Sequence, residues 1–137
     1  MPLYTAQYRY SGPDRFDITV KGQDDGGKCF APTWDMVNGV KKGTITESYY
    51  EQLYTHLLNT RWDNNEMNIR NIMMGILKTL NDGGDVTFVC FCRANSFCHR
   101  YLLVRWMQAI WAIQYAGERF RIGWAGGTQQ PKIYRRD

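Results

Sequence analysis

Apolar residues recur with two different periods along this chain, and each change of period marks an element boundary. Tyr4, Ala6, Tyr8 and Tyr10 alternate with more polar neighbours, and so do Phe16, Ile18 and Val20. A period of two turns one face of a strand inward, so both runs predict half-buried strands. Ser11-Gly12-Pro13-Asp14 supplies the turn between them, and Gln23 to Lys28 reads as a loop by composition. A short helix is predicted after Pro32 and Thr33, with Met36, Val37 and Val40 inward and a stop at Gly43.

The helical period then dominates. Thr44-Ile45-Thr46-Glu47 has the form of a capping box, and Tyr50, Leu53, Tyr54, Leu57 and Leu58 share one face of the helix after it. His56 lies off that face and is assigned no role. Ile69, Ile72, Met73, Ile76, Leu77 and Leu80 predict another helix, ended by Asn81-Asp82-Gly83-Gly84. Val86-Thr87-Phe88-Val89 is a continuous apolar and β-branched run, the mark of a strand buried on both faces. Leu102, Leu103, Trp106, Ile110 and Ile113 then predict a long helix from about Cys98 to Ala116, apolar nearly all round and deeply packed. Phe120, Ile122 and Trp124 alternate as a last strand. The order β-β-α-α-α-β-α-β predicts a single three-layer α/β domain over residues 1–125, with a mostly parallel sheet and the Val86–Cys92 strand in its interior. Residues 126–137 are expected to form a basic, mobile tail.

The whole-chain properties narrow the class. A chain of 137 residues can build one core without disulfides. No stretch is apolar for the roughly 18 residues of a membrane span, and Met1 to Tyr10 lacks a signal-peptide pattern. The expectation is a cytoplasmic protein with no membrane partner. Net charge is +4, but from Arg93 onward eight basic residues face only Glu118 and Asp137. This asymmetry suits an anionic ligand, and it equally suits a solvated basic tail. The five Trp, nine Tyr and six Phe stand mostly at helical spacing, which fits core better than stacking on nucleic-acid bases.

The chemistry concentrates between Cys90 and Arg100, where three of the four cysteines and one of the two histidines fall at a strand-to-helix turn. Backbone N–H groups and the helix dipole converge at such turns and favour anions. Asn95 or Ser96 can cap the helix, which would place Cys98 and His99 in its first turn. A thiol there, beside an imidazole and Arg100, gains thiolate character, suited to nucleophilic or redox work. Cys90 and Cys92, two apart on a strand, share a face. A zinc site from Cys90, Cys92, Cys98 and His99 has suitable donors but not the usual knuckle spacing, and adjacent residues at a helix start are expected to point apart. Neither a metal nor a cofactor is therefore expected. A cysteine phosphatase needs an arginine six positions after its nucleophile. Ser96 and Cys98 stand at those positions, so that signature fails. A nucleotide or other anion pocket remains.

Cys90-x-Cys92-x5-Cys98-His99-Arg100, following a buried strand and leading into an apolar helix, resembles the motif of domain-of-unknown-function family 488. Phe30-Ala31-Pro32-Thr33-Trp34, Lys41-Lys42-Gly43-Thr44-Ile45 and the Tyr50 to Tyr54 segment are similar to a second stretch of that family. The resemblance implies a compact α/β fold with a pocket around the cysteine motif, and no settled activity. Cys92 stands where the family usually has Glu, so an acid or base carried there is missing. The family's usual N-terminal segment is also not evident. Ser11 to Thr19 looks instead like small phage-encoded relatives, which brings host cytoplasm, nucleotide metabolism and counter-defence into view.

The candidate site follows from both lines. Cys98 and Asp17 are the candidate catalytic residues, with Asp17 as a ribose ligand or general base. Arg15, Cys90, Cys92, Arg93, His99 and Arg100 are the candidate ligand-binding residues. The alternative for the polar cluster Asp14, Arg15 and Asp17 is a turn-capping Asp14 with an ordinary Arg15–Asp17 surface pair. The expected partner is a small nucleotide- or nucleoside-like anion, with turnover at a glycosidic or phosphate group. The second reading is a non-catalytic nucleic-acid- or protein-binding module using the basic C-terminal half.

Overall fold

A computed structural model describes residues 3–20, 25–91 and 97–119. Four strands, β1 (Leu3–Gln7), β2 (Arg15–Asp17), β3 (Val86–Cys90) and β4 (Tyr115–Arg119), form one sheet in the order β2-β3-β1-β4, every pair parallel. The helices are α1 (Trp34–Lys42), α2 (Glu47–Asn64), α3 (Ile69–Asn81) and α4 (His99–Ile110), with 3-10 turns at Asp25–Phe30 and Glu66–Asn68. All five residues of β3 are buried and the strand lies inside the sheet, as its unbroken apolar run predicts.

The strand order explains where the helices go. The steps from β2 to β3 and from β3 to β4 run the same way along the sheet. Right-handed crossovers therefore bring α1 to α4 to a single face. There Leu3, Val86, Phe88 and Cys90 meet Met36, Tyr50, Tyr54, Leu58, Met73, Leu103 and Met107 in the main core. The step from β1 to β2 runs backwards, and residues 8–14 carry it across the opposite face, where Tyr10 packs on Ala6 and Val89 beside Tyr8. Arg119 closes the same face, its guanidinium 3.7 Å from the Tyr4 ring centre. Among the described residues the third layer is this cover of aromatic rings and arginine, not a second row of helices.

Several boundaries differ from the sequence expectation. α4 stops at Ile110 instead of about Ala116, because Trp111 takes up extended backbone (φ −123°, ψ 152°) and β4 begins at Tyr115. The bulge between Leu3 and Tyr4 in the β1–β4 ladder lets this earlier strand pair. The expected strand around Phe120 to Trp124 and the 126–137 tail lie outside the described residues. Thr46, not Thr44, caps α2, accepting from the Tyr49 backbone N–H. Gly43 ends α1 with φ 79°, a left-handed conformation that glycine adopts without a Cβ penalty. No helix among the described residues is long and apolar enough to cross a membrane.

Candidate functional site

At the carboxyl ends of β2 and β3 lies a cavity of about 290 Å³. Ligands collect at this edge of parallel sheets because the chain leaves the strands there and the next helix begins. Thr19 and Val20, just after β2, form one side. Cys90, Phe91, Phe97, Cys98 and His99 bring β3 and the start of α4, while Trp34, Val37, Val40 and Lys41 of α1 and Tyr50 of α2 close it. Val37 and Val40, expected in the core, are lining residues here. Trp34 is 46% exposed and Phe91 60% exposed, so aromatic surface faces outward at this mouth.

The floor is built by the way α4 begins. Cys98, rather than Asn95 or Ser96, is the N-cap of the helix, with extended backbone (φ −160°, ψ 147°) and no capping bond from its side chain. That conformation overturns the expectation that Cys98 and His99 diverge. The Cys98 Sγ lies 3.8 Å from the His99 Nδ1. On the other side of the ring, Nε2 is 2.8 Å from the Ile18 carbonyl oxygen, which can only accept. Nε2 therefore carries the proton, and the Nδ1 lone pair faces the thiol. Burial pushes the His99 pKa down to about 4, with the Ile18 hydrogen bond only partly opposing it, so the ring is neutral at pH 7.

Cys90 meets Cys98 sulfur to sulfur, yet their Cα atoms stand 8.0 Å apart. That span exceeds the roughly 7 Å limit for a disulfide on an unmoved backbone. Behind Cys90, Arg100 donates from Nη1 to its Sγ at 2.9 Å. Arg100, a candidate ligand-binding residue from the sequence, does not line the cavity. It is wholly buried, donating to Glu118 at 2.7 Å and to the Tyr101 hydroxyl at 2.8 Å. Glu118, eighteen residues from Arg100 in sequence and in direct contact with it, was not among the candidate site residues. Its signal was an acid inside a strand of the otherwise basic C-terminal region.

Asp17 does not line the cavity. Phe16 turns to the helical face against Phe30 and Phe88, which sends Asp17 to the opposite face beside Val89. Its Oδ1 accepts from the Thr19 N–H at 2.9 Å and the Thr19 hydroxyl at 2.7 Å, and its Oδ2 from the Tyr8 hydroxyl at 3.0 Å. Asp17 thus shapes the turn that delivers Thr19 and the Ile18 carbonyl to the site. Arg15 also lies away from the cavity. Instead of pairing with Asp17, it donates to the Tyr8 and Tyr10 carbonyls and lies 4.3 Å over the Tyr8 ring. Cys92 and Arg93 lie outside the described residues. Trp34, Lys41, Tyr50, Phe91, Phe97 and the Ile18 carbonyl are site groups that sequence reasoning did not single out, although Trp34, Lys41 and Tyr50 lie in the second stretch of the family resemblance.

Comparison with curated proteins and with solved structures finds no match to this chain. One family model does match, over residues 6–110, and its description is "Active DUF488-N3 subclade". That span runs from β1 to the last residue of α4 and includes every described residue that lines the cavity. With the fold and the cysteine motif in agreement, the chain belongs to the DUF488 family, in its N3a subclade.

Proposed function

We propose that this protein binds a nucleotide- or nucleoside-like ligand in the cavity at the start of α4 and turns it over there, at a glycosidic or phosphate group. The observation that carries the reading is the composition of this one cavity. Trp34, Phe91, Phe97 and Tyr50 offer aromatic surface for a planar ring, Lys41 offers a cation for an anionic group, and the thiols and His99 Nδ1 supply the reactive floor. A pocket that is mostly apolar with a few convergent polar groups is the usual form of a small-molecule site. The family description "active" supports turnover over simple binding.

The competing reading, a module that binds nucleic acid through its basic half, has less support. Arg100 is buried against Glu118, Arg105 pairs with Glu51, and Arg119 pairs with Asp14 and Asp85. Arg100 and Arg119 are thereby held within the chain, while Arg105 pairs at the surface.

A thermal-shift screen of nucleosides, nucleotides, dinucleotides and cyclic nucleotides tests the proposal, followed by mass spectrometry of each hit for products. The expected result is saturable stabilisation, about 2.7 kcal/mol at a hundredfold excess over Kd, with little salt dependence. Binding of DNA or RNA that collapses steeply with salt, with no small-molecule response, would overturn it in favour of the module.

A further inference from the structure

Three donors meet at the cavity floor in a way that neither a disulfide nor a plain thiol core requires. The Cys90 Sγ, Cys98 Sγ and His99 Nδ1 lie within 4.8 Å of one another, and all three residues are buried. They come from the end of β3, the N-cap of α4 and its first residue, so the sheet and the helix fix them independently. We propose that Cys90, Cys98 and His99 hold a single zinc ion, with an open coordination position facing the aromatic cavity.

The donor chemistry selects the metal. Two thiolates and one imidazole suit a tetrahedral, borderline-soft divalent ion, and three protein ligands with an open position are the pattern of catalytic zinc. Among the described residues no carboxylate joins this group, so it does not suit oxygen-seeking ions such as magnesium or calcium. The Cα separation of 8.0 Å, too wide for a disulfide, leaves room for two Zn–S bonds of about 2.3 Å. To hold zinc the two sulfurs would move apart to two corners of a tetrahedron, and each thiol that binds would give its proton to solvent.

The surroundings match what ligands of this kind need. Metal-bound histidines usually donate their other N–H to a carbonyl or carboxylate, which fixes the ring and the tautomer. The His99 Nε2–H bond to the Ile18 carbonyl does this at 2.8 Å and leaves Nδ1 as the free lone pair. Arg100, held by Glu118, donates to the Cys90 Sγ at 2.9 Å and offsets negative charge on that thiolate. The spacing argument against zinc compared the sequence with knuckles, whereas here the extended N-cap residue brings one donor back beside the next.

The site deepens the proposed function, since its open position would present a metal-bound water or a ligand heteroatom to the cavity. It is tested without any organic ligand, so its failure and the failure of the pocket reading are separate. The full chain, reduced and stripped with a chelator, is titrated with Zn2+ and with Co2+ as the spectroscopic probe. The expected result is one ion per chain by elemental analysis after dialysis. The Co2+ form should show intense visible bands and thiolate charge transfer from two sulfurs. In the unmodified protein, Zn2+ should protect Cys90 and Cys98 from alkylation, read by peptide mass spectrometry, so the conclusion does not depend on a variant folding. Cys90→Ser, Cys98→Ser and His99→Gln should each weaken affinity more than about 100-fold, beyond the usual effect of a supporting residue. Cys29→Ser should leave it unchanged. Overturning results are a Co2+ spectrum of the hydrated ion, alkylation of Cys98 at the same rate with and without Zn2+, or metal retained in Cys98→Ser.

Discussion

Arg100 and Glu118 form an ion pair in which neither side chain reaches solvent: Nη2 and Oε2 are 2.7 Å apart, and Nε donates to Oε1 at 3.3 Å. Thr5 adds a third hydrogen bond to the same carboxylate, at 2.5 Å. The pair joins α4 to β4 and lies directly behind the Cys90 sulfur. Removing one partner strands a buried charge, so Arg100→Ala or Glu118→Ala should each cost about 3–5 kcal/mol. Urea denaturation measures this. A double change to Leu at both positions should be far less costly than the sum, because no charge is then left unpaired. Additive losses would show that the pair is not coupled.

Trp34 should behave in the opposite way. It is 46% exposed at the cavity mouth, so Trp34→Ala should alter stability by no more than about 0.5 kcal/mol. If an aromatic base stacks there, affinity should fall by about 1–3 kcal/mol, the usual worth of a base on an aromatic side chain. Calorimetry with whichever nucleoside or nucleotide stabilises the protein most reads the difference. Unchanged affinity would remove Trp34 from the binding surface.

The contrast between these two residues shows how far the sequence could be read. The element order, the interior position of β3, and the capped ends of α1 and α3 follow from periodicity and from glycine placement, which are local properties. The site needed more. Arg100 stands in a motif beside two reactive side chains, yet its role depends on Glu118, eighteen residues away and across a crossover. Asp17 alternates out of an apolar run, but only the strand order decides which face is covered by helices. The short α4 was equally hidden, since Trp111 and Ile113 continue an apolar pattern although Trp111 is already in extended backbone.

Gly27 offers a test of the turn behind the site. A Cβ added there would run into the backbone carbonyl of Asp17, which cannot swing aside as a side chain can. Gly27→Ala should therefore destabilise by at least about 1–3 kcal/mol, the range for overpacking. The neighbouring Ile18 carbonyl holds His99, so displacement of that strand end should also disturb the site. Thermal melting and the chemical shifts of the His99 ring report both effects. A stabilised Gly27→Ala protein would show that the Asp25–Phe30 turn packs less closely on β2 than described.

Arg61 supplies the last prediction. It is buried in α2, and its Nη1 donates to the Cys29 carbonyl at 2.8 Å and the Ala31 carbonyl at 2.7 Å. Burial lowers its pKa, opposed by the neighbouring Tyr54 and Cys29, but an arginine keeps its charge across the usable pH range. Tyr54 adds a bond to the Phe30 carbonyl at 2.6 Å, so three successive carbonyls are held by α2 just before Trp34. Arg61→Met fills much of the volume but leaves two carbonyls unsatisfied, and should cost about 1.5–3 kcal/mol, the worth of hydrogen bonds from a charged group. Arg61→Lys keeps the charge without the fork of donors and should fall between. Because the same segment positions Trp34, both changes should also weaken ligand binding, Met more than Lys. Loss of stability with fully retained affinity would separate the anchor from the cavity wall it leads into.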